Sequence, residues 1–380
     1  MRTAVQRRGA LALCVVLLFC LLAGCTGHSG EKTWSELTPQ STTELKYAKQ
    51  FTIEDYGNGL QLITIAQDRQ YLLVPEGAQA PAGVPEEVTV LQQPIQNIYL
   101  TATAAMDLFR ALDGLDAIRL SGTKESGWYL PEAQQAMEAG NILYAGKYSA
   151  PDYELILAQQ CGLAVESTMI YHNPEVKEQL ESLGIPVLVD YSSYESDPLG
   201  RMEWIKLYGA LLDKEEEAAR IFDEEVAAVQ SVLNQTNTGK TVAFFYITNT
   251  GTVNVRKSGD YIAQLIRMAG GVYVPDNQNG DEENALSTMN IDMESFYAAA
   301  HDADVLIYNS TIDGELASLD ELLKKSELLA DFKAVQNGEV WCTGKNMFQS
   351  SMSLGRMILE INAVLTQQAP DGLTYLYRLS

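Results

Sequence analysis

The sequence predicts an α/β protein with two Rossmann-like β-α lobes joined by a single long α-helix, and with a small β meander near the N-terminus. Three observations support this fold class. Short apolar strand patterns alternate with helical patterns over residues 95–193, and the same alternation returns after Lys240. An amphipathic stripe of helical period separates the two halves.

The chain begins with a pattern typical of an export signal. Three arginines in the first eight residues precede an apolar run over residues 10–23. The run is shorter than the roughly 20 residues that span a bilayer, so a signal peptide over residues 1–24 is favoured over a permanent transmembrane helix. Leu22-Ala23-Gly24-Cys25 resembles the lipobox of bacterial lipoproteins, which implies that Cys25 is lipidated and begins the mature chain. A plain signal peptide with an incidental cysteine is the alternative.

Residues 25–45 are predicted to form a lipidated tether, which is small and polar in its first part. Residues 46–94 are predicted to form a small β-rich segment, because β-branched and aromatic runs at 51–56, 60–65 and 71–74 are separated by turn residues. Proline, glycine and alanine over residues 75–85 indicate a loop into the next unit.

The first α/β lobe is predicted over residues 95–212 and the second over residues 238–368. Between them, residues 213–237 are predicted to form the connecting helix, with Asp213 as its N-cap. At about 1.5 Å per residue, its roughly 21 helical residues extend about 32 Å, enough to reach from one lobe to the other. An ordinary amphipathic helix inside one domain is the alternative. Predicted strands lie at 95–100, 117–121, 142–145, 163–167, 187–190, 241–248, 305–309 and 340–343.

Composition and motifs exclude several classes of function. The 380 residues carry 26 basic and 50 acidic side chains, a formal net charge of −24, which argues against a nucleic-acid partner. Three histidines without metal-ligand spacing, and the lack of a Gly-rich phosphate loop or Gly-x-Ser-x-Gly motif, give no support for a resident metal, a cofactor or an enzyme. Cys161 and Cys342 are far apart in sequence, so no framework of closely spaced disulfide pairs is expected, and a single bridge between them is the alternative.

Aromatic and cationic residues follow several predicted strands, where ligand clefts of open parallel sheets lie. Rings could stack on a flat molecule, and arginine or lysine could bind its anionic groups. For each aromatic residue alone, partly buried packing is the simpler interpretation. The candidate ligand-binding residues are Thr101, Thr103, Trp128, Tyr171, His172, Arg256, Lys257, Tyr261, Lys345 and Phe348.

The segment Asp197-Pro198-Leu199-Gly200-Arg201-Met202-Glu203-Trp204-Ile205-Lys206, with Gly270-Gly271-Val272-Tyr273, the lipobox and the central helix, resembles the substrate-binding lipoproteins of ABC importers for iron siderophores, haem and cobalamin. The resemblance covers about residues 95–366. It implies two lobes on one stiff helix, a ligand cleft between the lobes and little hinge motion.

Glu154 and Glu294 occupy equivalent places in the two halves. Each lies in the first turn of a predicted helix that leads into a buried strand, a position that the helix dipole alone would favour for an acid. The resemblance implies a further role, in which one glutamate on each lobe docks to arginines of the permease dimer.

Together these features predict a monomeric, lipid-anchored receptor on the extracytoplasmic face of the cell membrane. Its expected ligand is a small metal chelate that carries iron or cobalt. A ferric siderophore is favoured because Arg256, Lys257 and Lys345 could offset an anionic chelate, whereas haem and a corrinoid stay open as alternatives. A chelatase-like enzyme on the same frame and a surface adhesin are remote alternatives. The sequence does not separate a Gram-positive surface from a periplasm.

Overall fold

The computed structural model describes residues 32–276, 288–370 and 372–380. The predicted signal peptide and Cys25 lie outside these residues. Within them, none of the helices combines the length and the apolar character that a membrane crossing requires.

A five-stranded sheet forms the N-terminal part of the described chain. Neighbouring strands follow one another in sequence order, and all pairs are antiparallel except the last, which is parallel. The predicted meander is therefore present as the three central strands, and an edge strand is added on each side. The strands are β1 (Ser41–Thr42), β2 (Phe51–Gly57), β3 (Leu60–Ile65), β4 (Arg69–Val74) and β5 (Thr89–Gln92).

Ordered structure begins inside the range that was predicted to be a tether. A 3-10 turn at Trp34–Glu36 places the Trp34 ring 5.0 Å from the Tyr56 ring, and Trp34 N donates a hydrogen bond to Ala82 O at 2.9 Å. Strand β1 follows and pairs with β2. The prediction that the tether extends to residue 45 is therefore wrong, because these residues are held by the sheet.

The first α/β lobe contains a five-stranded sheet in the order β12-β11-β6-β7-β8, and every pair in it is parallel. A short antiparallel pair, β9 with β10, leads into its third helix. The strands are β6 (Ile98–Leu100), β7 (Ile118–Ser121), β8 (Leu143–Tyr144), β9 (Gly146–Lys147), β10 (Ala150–Pro151), β11 (Ala164–Ser167) and β12 (Val187–Asp190). The helices are α1 (Ala105–Ala111), α2 (Pro131–Glu138), α3 (Tyr153–Ala158), α4 (Pro174–Ser182), α5 (Pro198–Glu203) and α6 (Ile205–Leu211).

The long connecting helix α7 (Glu215–Leu233) buries a stripe that includes Ala218, Phe222 and Val229. The prediction that Asp213 caps this helix is wrong. Asp213 has a positive φ of 58°, and the N-cap position is Lys214, whose backbone N–H donates to Gly209 O at 2.8 Å. Asp213 therefore belongs to the tight turn that ends α6 and does not cap the next helix.

The second lobe contains a mixed sheet in the order β16-β14-β13-β17-β18-β19, with β15 also paired to β13. Strands β13, β15, β17 and β18 pair in parallel, and the remaining pairs are antiparallel. The strands are β13 (Thr241–Ile247), β14 (Val253–Arg256), β15 (Val272–Val274), β16 (Thr288–Ile291), β17 (Val305–Tyr308), β18 (Val340–Thr343) and β19 (Leu376–Arg378). The helices are α8 (Tyr261–Met268), α9 (Met293–Ala300), α10 (Ser310–Asp313), α11 (Leu319–Lys325), α12 (Lys333–Gln336) and α13 (Leu354–Leu365).

One hydrophobic core connects the N-terminal sheet with both lobes. It includes Phe51 of β2, whose ring meets that of Trp204 edge-on at 4.9 Å, together with Phe222 of α7 and Ile358 of α13. Helix α7 packs against α6 on one side and α13 on the other. The N-terminal sheet is therefore an integral part of the body of the protein, and the two lobes share buried surface along α7.

Candidate ligand-binding cleft

A cleft of about 470 Å³ lies between the two lobes, beyond the carboxyl ends of their parallel strands. Residues of the first lobe contribute the smaller share of its lining, and loops and helices of the second lobe contribute the rest. The lining residues are Ala104, Ser192, Ser193, Arg201, Arg256, Asp260, Tyr261, Thr311, Ile312, Met347, Phe348, Ser351 and Leu354.

Arg201 of α5 enters the cleft from the first lobe. Its Nε donates to Glu195 O at 2.9 Å and its Nη2 donates to Ser193 O at 2.5 Å. Its guanidinium carbon lies 3.5 Å from the ring centroid of Tyr261, which belongs to the second lobe. Burial lowers the pKa of Arg201, but an arginine remains charged at neutral pH. A fixed positive charge therefore spans the junction of the lobes.

Arg256 enters the same cleft from the end of β14. Its backbone is held by the Tyr273 hydroxyl, which accepts from Arg256 N at 2.9 Å and donates to Arg256 O at 2.7 Å. Its guanidinium carbon lies 5.1 Å from the Phe348 ring centroid, and its Nη1 lies 3.6 Å from Oδ2 of Asp260. Burial raises the pKa of the Asp260 carboxyl, and the nearby Arg256 opposes that shift. Asp260 also caps α8 through Ile262 N at 2.9 Å.

The wall on the side of the first lobe is a 3-10 turn at Ser192–Tyr194 that follows β12. Asp190, at the end of β12, accepts hydrogen bonds from the backbone N–H and the hydroxyl of Ser192, and from the Tyr208 hydroxyl. Burial raises the pKa of Asp190. This buried carboxyl group thus fixes the turn that presents two serines to the cleft.

Hydrogen bonds from residues 349–352 join the two lobes beside the cleft. The Gln349 side chain donates to Gly127 O at 2.8 Å and accepts from Tyr129 N at 2.7 Å. Met352 N donates to Oδ2 of the buried Asp107 at 2.8 Å. Together with the contact between Arg201 and Tyr261, these bonds fix the relative position of the lobes on this side.

Arg256, Tyr261 and Phe348 line the cleft, and their contact with a ligand stays a prediction. The prediction that Trp128 stacks on a ligand is wrong, because Trp128 is 0% exposed and its Nε1 donates to Ser121 Oγ at 3.2 Å. An aromatic residue after a strand can turn into the core of its own lobe, and this one does.

The remaining candidates lie outside the cleft lining. The Thr101 hydroxyl donates to the buried carboxylate of Glu166, and Thr103 is exposed in the turn before α1. His172 is exposed, and the Lys345 ammonium group lies 3.9 Å from the Glu315 carboxylate. Besides Trp128, six candidates lie outside the cleft lining, namely Thr101, Thr103, Tyr171, His172, Lys257 and Lys345.

Sequence reasoning missed several cleft residues, of which Arg201 and Asp260 carry charge. Arg201 lies in the segment 197–206 that carries the family resemblance. The resemblance did not predict that this residue lines the cleft. Asp260 directly precedes the helical pattern at Tyr261, which is a signal for an N-cap but not for a ligand contact.

Glu154 and Glu294 are both exposed in the first turn of their helices, α3 and α9. The caps are equivalent, since Asp152 accepts from Leu155 N at 3.0 Å and Asp292 accepts from Ser295 N at 2.6 Å. The local environments of the two glutamates therefore match, one on each lobe.

Among the described residues, no group of three or more histidine, cysteine, aspartate or glutamate side chains could hold a metal ion. The cleft instead offers two guanidinium groups, one carboxyl group and flanking rings. This arrangement can bind an anionic small molecule with a flat portion, through charge-assisted hydrogen bonds and stacking.

Comparisons with known proteins agree with this architecture. A family model described as periplasmic binding protein matches residues 101–347. An uncharacterized lipoprotein of Methanocaldococcus jannaschii is 24% identical over an alignment 403 positions long, which covers 96% of this chain and 94% of that protein.

Two solved structures share the fold. A periplasmic haem-binding protein from Pseudomonas aeruginosa superposes with a TM-score of 0.57 at 16% identity, covering 75% of this chain and 98% of its own. An ABC-type Fe3+-hydroxamate transport protein from Saccharomonospora viridis superposes with a TM-score of 0.54 at 22% identity, covering 72% of this chain and 93% of its own. With the family match extending over most of both lobes and the cleft, the chain belongs to the periplasmic binding protein family.

Proposed function

We propose that the protein is an extracytoplasmic solute-binding lipoprotein that captures a ferric siderophore and delivers it to an ABC transporter permease. The observation that carries this proposal is the pair of arginines in the cleft. Arg201 and Arg256 come from different lobes and meet one cavity in a chain of formal net charge −24. Concentrating positive charge there, in a protein that is acidic overall, favours an anionic chelate as the ligand.

Binding needs no covalent step. The guanidinium groups would donate charge-assisted hydrogen bonds to anionic oxygens of the chelate, while the rings of Tyr261 and Phe348 would pack on its flat parts. The metal would be cargo inside the chelate and not a resident cofactor. A ligand that contacts both arginines at once favours the closed arrangement of the lobes over any more open one.

Delivery would use the exposed glutamates on the two lobes. Glu154 and Glu294 present equivalent carboxylates that could pair with arginines of a permease dimer. Exposed ion pairs contribute only roughly 0–1 kcal/mol each, so the pair would set the orientation of docking more than its affinity. A lipid on Cys25 would keep the monomeric receptor at the membrane.

Isothermal titration calorimetry of residues 26–380 with ferric catecholate and hydroxamate siderophores, haem and cobalamin tests the proposal. Saturable binding of a ferric siderophore is expected. Arg256→Ala, alone and with Lys257→Ala, should weaken it roughly 10- to 100-fold, since a hydrogen bond to a charged group contributes about 1.5–3 kcal/mol.

Arg378→Ala is the matched control, because Arg378 stacks on Trp341 at 4.8 Å but lies on β19 and outside the cleft lining. Its affinity should equal that of the unmodified protein. Unchanged siderophore affinity in the Arg256 variants, or no binding of any siderophore, would refute the proposal.

Haem is a second candidate ligand, because Tyr261 and Met347 both line the cleft and both residue types serve as haem-iron ligands in other proteins. The same titration separates the two. Haem bound through these residues would give a Soret band that Tyr261→Phe shifts, whereas a ferric siderophore would give no such band.

A further inference from the structure

Arg69 of the N-terminal sheet lies against two tyrosines of the first lobe. Its guanidinium carbon is 5.2 Å from the ring centroid of Tyr171 and 5.0 Å from that of Tyr191. The Tyr191 ring is in turn 5.2 Å from the Tyr194 ring. We refer to Arg69, Tyr171, Tyr191 and Tyr194 as the rim cluster.

The rim cluster includes the residues that flank one wall of the cleft in sequence. Tyr191 and Tyr194 flank Ser192 and Ser193, which line the cleft. In a 3-10 turn, residues three apart lie on the same face, so Tyr191 and Tyr194 share a face, and Tyr191 contacts Arg69 on it. Arg201 holds the same turn through Ser193 O. Tyr191 and Tyr194 are therefore the chain neighbours of two cleft-lining serines.

The N-terminal sheet positions Arg69 through the geometry of β4. Side chains two apart in a strand lie on one face, so Arg69 shares a face with Tyr71. Tyr71 is buried, and its hydroxyl donates to Val187 O of β12 at 3.1 Å. Strand β12 is an edge strand of the lobe's sheet, so the N-terminal sheet meets that edge through Tyr71. Arg69 then lies beside Tyr191, which directly follows β12.

The composition and exposure of the rim cluster point to a ligand and not only to packing. Tyr171 and Tyr194 are 38% and 43% exposed, and the nearby Met169 is 46% exposed. Arg69 pairs with Asp68 at 3.0 Å, but the Asp68 side chain is 72% exposed, so this ion pair contributes little. A guanidinium stacked on rings keeps its edge available to donate hydrogen bonds to anionic oxygens.

We propose that the rim cluster is a second subsite, in which Arg69 and the tyrosines bind an aromatic, anionic arm of the ligand that extends out of the cleft. This inference rests on the function proposed above and specifies it. It assigns the N-terminal sheet a part in ligand selection, and it predicts a preference for a catecholate chelate over an aliphatic hydroxamate chelate.

The test is calorimetric titration with one ferric tris-catecholate and one aliphatic ferric hydroxamate. Arg69→Ala and Tyr194→Leu should each weaken catecholate binding about 3- to 10-fold, consistent with roughly 0.5–1.5 kcal/mol for one ring or cation contact. Hydroxamate affinity should stay unchanged in both variants. Arg378→Ala, which removes a stacked arginine remote from the cleft, is the control and should change neither.

Each other outcome decides against the subsite. If Arg69→Ala lowers the unfolding temperature and weakens both chelates equally, Arg69 only anchors the N-terminal sheet. If the unmodified protein binds the hydroxamate but not the catecholate, or if both variants bind the catecholate normally, the subsite is refuted while the proposed function stands. If the unmodified protein binds neither chelate, the proposed function fails and the subsite fails with it.

Discussion

Glu166 lies at the carboxyl end of β11 with its side chain fully buried. Its Oε2 accepts a hydrogen bond from the Thr101 hydroxyl, whereas its Oε1 has no partner among the described residues. Burial raises the pKa of this carboxyl group to about 7, and the bond from Thr101 only partly opposes the shift. The folded protein therefore holds the proton of Glu166 over a pH range in which the unfolded chain has released it.

We predict that Glu166→Gln stabilises the protein in a pH-dependent way. The pKa of Glu166 is higher in the folded state than in the unfolded chain. Well below pH 4.5 the carboxyl group is protonated in both states, so it does not affect the free energy of unfolding. As the pH rises to about 7, the unfolded chain releases this proton first, and the folded state is destabilised increasingly. Gln resembles the protonated acid and removes that cost, so urea unfolding should show a gain on the order of 3 kcal/mol at pH 8 and almost none at pH 4.

Glu360→Gln is the matched control for this prediction. Glu360 is as deeply buried, but its carboxylate accepts from Thr374 N and Tyr375 N at 2.9 Å each. An amide cannot accept at both positions, so this variant should lose stability at pH 8. A Glu166→Gln variant with the same gain at both pH values would contradict the interpretation.

At the scale of elements, two buried carboxylates of the segment 195–203 hold the N-terminal sheet. Glu203 accepts from the backbone N–H groups of Lys46, Tyr47 and Ala48, at 2.7–3.0 Å. Glu195 accepts from those of residues 49 and 50, at 2.9–3.0 Å. We call this set of bonds the carboxylate clamp.

We predict that Glu203→Ala destabilises the protein by about 3–5 kcal/mol, because it leaves buried N–H groups and the Lys206 ammonium without their anion. Hydrogen exchange should increase at residues 46–48 in particular. Glu224→Ala on the exposed face of α7 is the control, since within the described part of the chain Glu224 pairs only with the exposed Arg220, and its effect should stay within about 0.5 kcal/mol. Equal exchange in the two variants would refute the clamp.

The elements also show what the sequence could reveal. Apolar runs predicted the buried parallel strands to within a few residues, and Val187–Asp190 and Val340–Thr343 agree at both ends. Strands β14, β16 and β19 were missed, because short antiparallel additions at a sheet edge carry little apolar pattern. The carboxylate clamp could not be predicted from the sequence, since its acceptors and donors are about 145–157 residues apart and the donors are backbone groups.

The same limit applies to the cleft. Position after a strand identified Arg256, Tyr261 and Phe348, yet it could not tell them from Trp128, whose ring turns inward. Whether a loop residue faces the cleft depends on tertiary packing, which residue type alone does not encode.

At the scale of the whole molecule, α7 and the bonds beside the cleft oppose large lobe motion. Arg201 stacks on Tyr261, Met352 N binds Asp107, and Gln349 bridges to Gly127 and Tyr129. The shared core along α7 adds a contact that cannot open without exposing apolar surface.

We predict that ligand binding changes the overall shape little. Small-angle X-ray scattering should show a change in the radius of gyration below about 1 Å on saturation, as expected for preorganised binding proteins. Gln349→Ala removes two bonds between the lobes and should widen that change. A closure of several ångströms in the unmodified protein would show that these contacts break in the free state.

If a lipid on Cys25 anchors the protein as proposed, the carboxylate clamp has a mechanical consequence. A pull on the anchor would first peel the two-residue strand β1 and would then load residues 46–50. Their carboxylate partners and the Lys46 to Asp223 ion pair, at 2.9 Å, pass that force into α5 and α7. Arg201 lies on α5 between the two clamp carboxylates and lines the cleft, so tension on the proposed anchor would reach one wall of the ligand cavity.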